Sequence, residues 1–296
     1  MSARFRHRPL RGMSAVAALL ALGAAGCSDV SDAVDSAKDG AKKVARQRSV
    51  FSLDVGDCYN PHGKAEGTAY AVEIVPCDEA HEGQVVGEFA IDKGKAYPGD
   101  DEVSAIADTR CPVEAQTYSP DTWALPKGVA LFYYTPTSES WATGDRAVSC
   151  TYTMEKGTFK GSLDTAKSLK PEQATYLKGS NAVYEALWAN QPEKENVEDD
   201  LAGYKAMAKA VAAALDTHVE GMKGIEGTEV GKLRATLTKA AGHWKKAADA
   251  ADSDAFYTAY DPAFTGIDPN ESVAAREELG LATTVPAEDA EVWAAS

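Results

Sequence analysis

Residues 129–154 read Val129-Ala-Leu-Phe-Tyr-Tyr-Thr-Pro-Thr-Ser-Glu-Ser-Trp-Ala-Thr-Gly-Asp-Arg-Ala-Val-Ser-Cys-Thr-Tyr-Thr-Met154. Both ends are uncharged and rich in β-branched and aromatic residues, so Val129–Thr135 and Ala147–Met154 are predicted strands. Thr137–Ala142 reads as a short helical turn between them, with Gly144 placed to terminate it. Outward toward the N-terminus, Ser49–Val55, Ala69–Val75 and Gln84–Ile91 alternate or are rich in β-branched residues, and Gly, Asn, Pro and Asp separate them. Pro98-Gly99-Asp100-Asp101 opens a helix, because carboxylates favour the free N–H groups of a first turn. Val103, Ile106 and Ala107 continue it at helical spacing up to Cys111. That order predicts an antiparallel α+β module over residues 49–165.

Outward in the other direction the periodicity changes from two to between three and four. Ser168–Asn190 carries Pro171 at a helix start, then Leu177, Val183, Tyr184, Leu187 and Trp188. Val197, Leu201, Tyr204, Ala208, Val211, Leu215, His218 and Met222 form one apolar stripe. Gly221, Gly224 and Gly227 interrupt it, and Val230, Leu233, Leu237, Ala240, Trp244, Ala247 and Ala251 form a second. Two such helices joined by a Gly-rich turn fold back and bury both stripes. Asp252–Tyr260 and Asn270–Leu279, the latter stopped by Gly280, close a bundle over 166–280. The tail 281–296 is expected to be loose, with Trp293 as a docking residue. The fold class is α+β: an antiparallel sheet module with one helix, followed by an all-α helical hairpin and bundle.

The first residues give an address. Met1–Gly12 contain Arg4, Arg6, Arg8 and Arg11 and no acid, and Met13–Ala25 is uncharged. At about 1.5 Å per residue that apolar run is too short for a hydrocarbon core of about 30 Å. A basic start, a short apolar run and small residues describe an export signal. Ala24-Ala25-Gly26-Cys27 resembles the lipobox of bacterial lipoproteins, with Ala24 where that pattern favours Leu. The resemblance implies cleavage before Cys27 and a diacylglycerol on its thiol, leaving 1–26 as signal peptide and 27–48 as a tether. Ordinary secretion with a free Cys27 is the competing reading. The full chain carries a formal charge of -15; losing four arginines with the signal takes it to -19. Such acidity argues against nucleic acid as a partner.

Besides Cys27 the chain has Cys58, Cys77, Cys111 and Cys150, and no C-x-x-C spacing for zinc or thiol exchange. Four cysteines in an exported protein predict two disulfides, with three connectivities open.

Gly56-Asp57-Cys58, Val75-Pro76-Cys77 with His81 four residues on, Tyr97-Pro98-Gly99 and the lone Cys111 form an ordered series. Trp141-Ala-Thr-Gly144-Asp145-Arg146-Ala-Val-Ser-Cys150 and Gly161-Ser162-Leu163 complete it. Together they resemble the septum formation domain of actinobacterial envelope proteins over about residues 50–165. The resemblance implies an exported or membrane-anchored protein with a part in forming the division septum, and it supplies no catalytic residue. The pairing expected is Cys58–Cys77 with Cys111–Cys150, the second bridge pinning the end of a helix to the last strand. If the strands before Cys58 and Cys77 were direct hairpin partners, these cysteines would lie at opposite ends, so loop 59–68 must bring Cys58 back.

Several sharper constellations compete with plainer ones. Cys77 with His81 suggests a thiolate and its base, but an oxidising compartment favours the disulfide. His62 and His81 with Asp57, Asp78 and Glu79 suggest zinc or manganese; a turn capped by the His81 ring is the alternative adopted. Asp100, Asp101 and Glu102 serve helix capping. Trp141, Asp145 and Arg146 are the candidate interaction patch, since an exposed Trp–Arg pair is a frequent interface anchor; the plainer reading is a core Trp beside a stiffened turn. His218 reads as a buried neutral imidazole, and Glu193, Glu195, Glu198, Asp199 and Asp200 as a solvated face. No catalytic residue, metal site or cofactor is assigned. The expected protein is a non-enzymatic lipoprotein at the outer face of the cytoplasmic membrane, bound through its lipid anchor and to an unknown envelope or division protein. A small-ligand or metal-binding lipoprotein is the alternative. A wall hydrolase would need a spaced carboxylate pair or a zinc set, and the acids here are scattered.

Overall fold

The computed structural model describes residues 47–286 except 62–70, 93, 95 and 155. The expected signal peptide with Cys27, the tether up to residue 46, His62 and Trp293 lie outside the described residues.

Six strands form one antiparallel sheet: β1 (Gln47–Ser49), β2 (Cys58–Pro61), β3 (Ala71–Val75), β4 (Gly83–Ala90), β5 (Val129–Tyr134) and β6 (Ala147–Met154). Their spatial order is β1-β3-β2-β4-β6-β5, and each neighbouring pair is antiparallel. One face is covered by α1 (Asp100–Tyr118), whose Val103, Ala107, Cys111 and Ala115 recur every four residues and pack on Val86, Phe89, Val148 and Tyr152. A Cβ at Gly87 would fall on the side chain of Glu114, so glycine there lets the helix approach the sheet. On the opposite face Val50, Leu53, Tyr59, Val72 and Val85 form a second, smaller core. The short α2 (Ser138–Ala142) links β5 to β6 through a Thr137–Ser140 capping box.

The second half folds as α3 (Pro171–Ala189), α4 (Leu201–Gly221), α5 (Thr228–Ala248), α6 (Ser253–Thr265) and α7 (Val273–Leu279). Pro171 begins α3, and Gly280, left-handed at φ 71, ends α7. One continuous core joins all five helices, centred on Trp244, Met207, Leu215, Phe256 and Leu177, with Ala208, Ala240 and Ala247 fully buried. Each large side chain buried this way contributes about 1.5–3 kcal/mol. The expected α+β class, with a helical second half, is the observed one.

Local differences have identifiable causes. Ser49–Val55 is not a strand: β1 stops at Ser49, and a 3-10 turn follows over Val50–Ser52. Val50 and Leu53, three apart, thereby enter the same small core. Helix α1 does not stop at Cys111 but runs seven residues further through Pro112. The proline removes one helical bond, and the packing of Cys111 and Ala115 on the sheet outweighs that loss. Helix α6 likewise continues past Tyr260 through Pro262. The tail is not loose at its start: Leu281 packs on the bundle, and the Ala282 N–H donates to Asp121.

Candidate functional site

Cys58 opens β2, a four-residue strand containing Asn60 and Pro61 that gave no signal in the sequence. Its register places Cys58 opposite Val75, two residues before Cys77. The bridge Cys58–Cys77 closes there with a Cα separation of 5.2 Å. Beneath it the fully buried Gln84 donates to Gly56 O at 3.2 Å, Tyr118 Oη at 3.1 Å and Ser162 Oγ at 3.0 Å, and its Oε1 accepts from the Leu163 N–H at 2.6 Å. One amide thus ties β4 to the residues before β2, the end of α1 and the exit of the module. A polar residue amid an apolar strand was the only sequence signal for it. His81 is buried with its Nδ1 2.9 Å from Glu79 O and its ring edge-on to Phe159. This is the turn-capping role. With Cys77 in a disulfide, the Cys77–His81 pair does not assemble a nucleophile and base. Asp57 accepts from the Asp54 N–H, Asp78 and Glu79 face solvent, and among the described residues no three potential ligands converge on a metal position.

The second bridge joins Cys111, in the middle of α1, to Cys150 in β6. At the far end of β6 Trp141 is only 2% exposed. The candidate patch is corrected at this residue: its indole lies in the module core, edge-on to Tyr97. Arg146 covers the ring at 3.7 Å and donates to Trp141 O and Asp145 O, while Asp145 accepts from the Ala147 N–H. These groups stiffen a corner. Asp145 and Arg146 are half-buried beside it.

Two further features come only from the tertiary structure. The first joins the two halves. Asp121, 4% exposed, pairs with Arg276 of α7, 3% exposed. Arg276 also lies 3.9 Å over the Trp123 ring and donates to Ala282 O, and Asn181 of α3 donates to Pro120 O. An isolated acid in a loop and a lone arginine near a helix end carry no spacing that would reveal this. The second feature is β5 itself, an outer strand paired only with β6. Met154 donates to Glu82 O on the β4 side, so by alternation Thr153, Thr151 and Ser149 turn their backbone groups to β5. Opposite them, Ala130, Phe132 and Tyr134 bond inward. The N–H and C=O groups of Leu131 and Tyr133 therefore point away from the sheet, and they have no hydrogen-bond partner among the described residues. Phe132 is 49% exposed on one face. Along the helix side, Tyr133 Oη donates to Asp108 at 2.7 Å, and burial together with that bond pushes the phenol up to about 12. Tyr97 Oη bonds Asp100 and Pro136 O, which places a second carboxylate at the end of β5.

The comparison with known families fits this stapled architecture. Residues 26–150 match the septum formation family. The match begins at Gly26, one residue before Cys27, and takes in all five cysteines. In the structure the module that carries the match continues beyond it: β6 ends at Met154, Phe159 pairs with His81, and Leu163 fills the core. The match points to a role in septum formation, hence in cell division at the envelope. No curated protein and no solved structure matches the chain. No helix among the described residues is long and apolar enough to cross a membrane.

Proposed function

We propose that this chain is a non-enzymatic accessory of septum formation, anchored at the outer face of the cytoplasmic membrane by a lipid on Cys27, which binds a division or wall-assembly protein through its module. The family match over 26–150 is the observation that carries the reading. The two disulfides support an oxidising compartment. The one thiol–imidazole pair that the sequence offered is engaged structurally, Cys77 in a bridge and His81 in a turn. The test is made in cells. A fluorescent fusion that tolerates export should concentrate at the forming septum, and deletion should delay or misplace division. Cys27→Ser should release the protein to the medium or leave its precursor uncut. Uniform distribution around the cell with unaltered division would overturn the septal reading, and unaltered detergent partitioning of the variant would overturn the anchor.

A further inference from the structure

The sheet module ends on one side in a guarded edge and on the other in an open one. The guarded edge is β1, which stops at Ser49 and turns into a 3-10 helix at Val50. The open edge is β5, six residues without charge or proline and without a bulge against β6. Folded proteins protect such edges with charge, proline, bulges or shortness, because an unpaired row of N–H and C=O groups templates another strand. Leu131 and Tyr133 present two donors and two acceptors in that row.

We infer that β5 is a docking edge that takes an extended, lysine- or arginine-bearing peptide segment as a seventh strand. Backbone pairing supplies the attraction, and side chains on alternate faces supply the selection. The peptide's apolar residues meet Phe132 and Tyr134, whose rings sit edge-to-face at 5.2 Å. Its basic residues meet Asp108 and Asp100 on the helix face and Glu139, exposed in the first turn of α2. The cation at the other end of the strand is Lys127, so the basic side chains belong near Tyr134. Charge selects against a second copy. Between residues 49 and 165 the chain has nineteen acidic and eight basic side chains, a net of -11, and pairing two such modules edge to edge opposes like charges. This inference rests on the proposed binding role and specifies its partner's chemistry.

The experiment uses the full soluble chain and a short synthetic peptide alternating lysine with valine and threonine, beside its counterpart with glutamate for lysine. Binding is followed by fluorescence anisotropy and by hydrogen exchange. The lysine peptide should bind, slow exchange in the fragment covering Val129–Tyr134, and bind less well as salt rises. Phe132→Ala, and separately Asp108→Asn with Glu139→Gln, should each weaken it roughly threefold to tenfold while unfolding at the wild-type temperature. No binding at about 1 mM peptide, equal binding of the glutamate peptide, or protection of another strand overturns the proposal. Concentration-dependent protection without peptide assigns the edge to a second copy, and full protection in the dilute monomer assigns it to the chain itself; either also overturns it. Septal localisation is read independently in cells, so the two readings fail separately.

Discussion

The two halves hold themselves together by different physics. The sheet module has two disulfides and seven of the ten buried polar residues among those described, including His81, Gln84, Asp121 and Thr151. The helical half has no disulfide and buries Gln173, His218 and Arg276. A polar interior is stable only when each group finds its partner, so the module depends on specific bonds and covalent closure. The bundle depends on apolar area along two helical stripes. The two halves should therefore fail under different insults.

Reduction is the largest such insult. Loops of 19 and 39 residues lose about 3 and 4 kcal/mol of stabilisation when opened, in the chain-entropy account. Under a strong reductant, amides of β4 and β6 should exchange quickly while those of α4 and α5 keep their protection. Equal loss in both halves would erase the distinction. The joint between the halves comes next. Arg276→Ala leaves Asp121 buried without its charged partner, at a cost of about 3–5 kcal/mol. Replacing both, as Asp121→Leu with Arg276→Met, should cost much less, and a double-mutant cycle by denaturant unfolding measures the difference. A single Arg276→Ala that unfolds like the wild type would show the halves to be independent.

Legibility in the sequence follows the same division. The bundle was readable because area buried along a helix repeats: Val197 to Met222 and Val230 to Ala247 are the observed core positions, and only Ala251 of the second stripe faces solvent. In the module the longer strands were readable, and the short pieces were not. Cys58–Pro61 has too few residues for a period and contains proline, yet this strand resolves the difficulty of joining Cys58 to Cys77, because it sets Cys58 beside the end of β3. The sequence leaves Trp141 between a surface anchor and a core residue, and the structure gives the core reading: its indole packs in the module core with Tyr97 while Arg146 covers its ring. Asp121 and Arg276, 155 residues apart, meet only through the tertiary fold.

Acid sharpens the comparison from the bundle side. Burial against Tyr176 and Gly179, where a Cβ would strike the ring, lowers the His218 pKa from 6.5 to about 4. The unfolded chain therefore binds the proton more readily than the folded one. Stability from the neutral imidazole is complete above about 6.5 and is lost as pH falls toward 4. The loss is about 3 kcal/mol. His218→Leu should flatten the unfolding profile over that window, and an unchanged profile would refute the assignment.

The smallest effect belongs to a place where the bundle, like the module, uses a specific polar contact. Helices α4 and α6 are capped locally: Asp200 accepts from the Gly203 N–H and Asp252 from the Ala255 N–H, both at 2.8 Å. Helix α5 begins after Gly227, which has no side chain to cap it. Its cap comes from Glu278 on α7, whose carboxylate accepts from the N–H groups of Thr228, Glu229 and Val230 at 2.8–2.9 Å. A Cβ at residue 227 would strike that carboxylate, so glycine makes room for it. The bond from Val230 above all holds the Glu278 carboxyl below the usual range, with those from Thr228 and Glu229 adding to it against some desolvation. Because the folded pKa is depressed, the cap's contribution is present above 4.5 and fades as pH falls through the folded value. Glu278→Gln keeps the length and loses the charge at the helix N-terminus. It should lower the thermal midpoint of the helical half only slightly at neutral pH, since water and salt screen an exposed carboxylate, and the difference from wild type should vanish in acid. A loss comparable to that of Arg276→Ala would mean that this borrowed cap, and not the apolar stripes, governs the bundle.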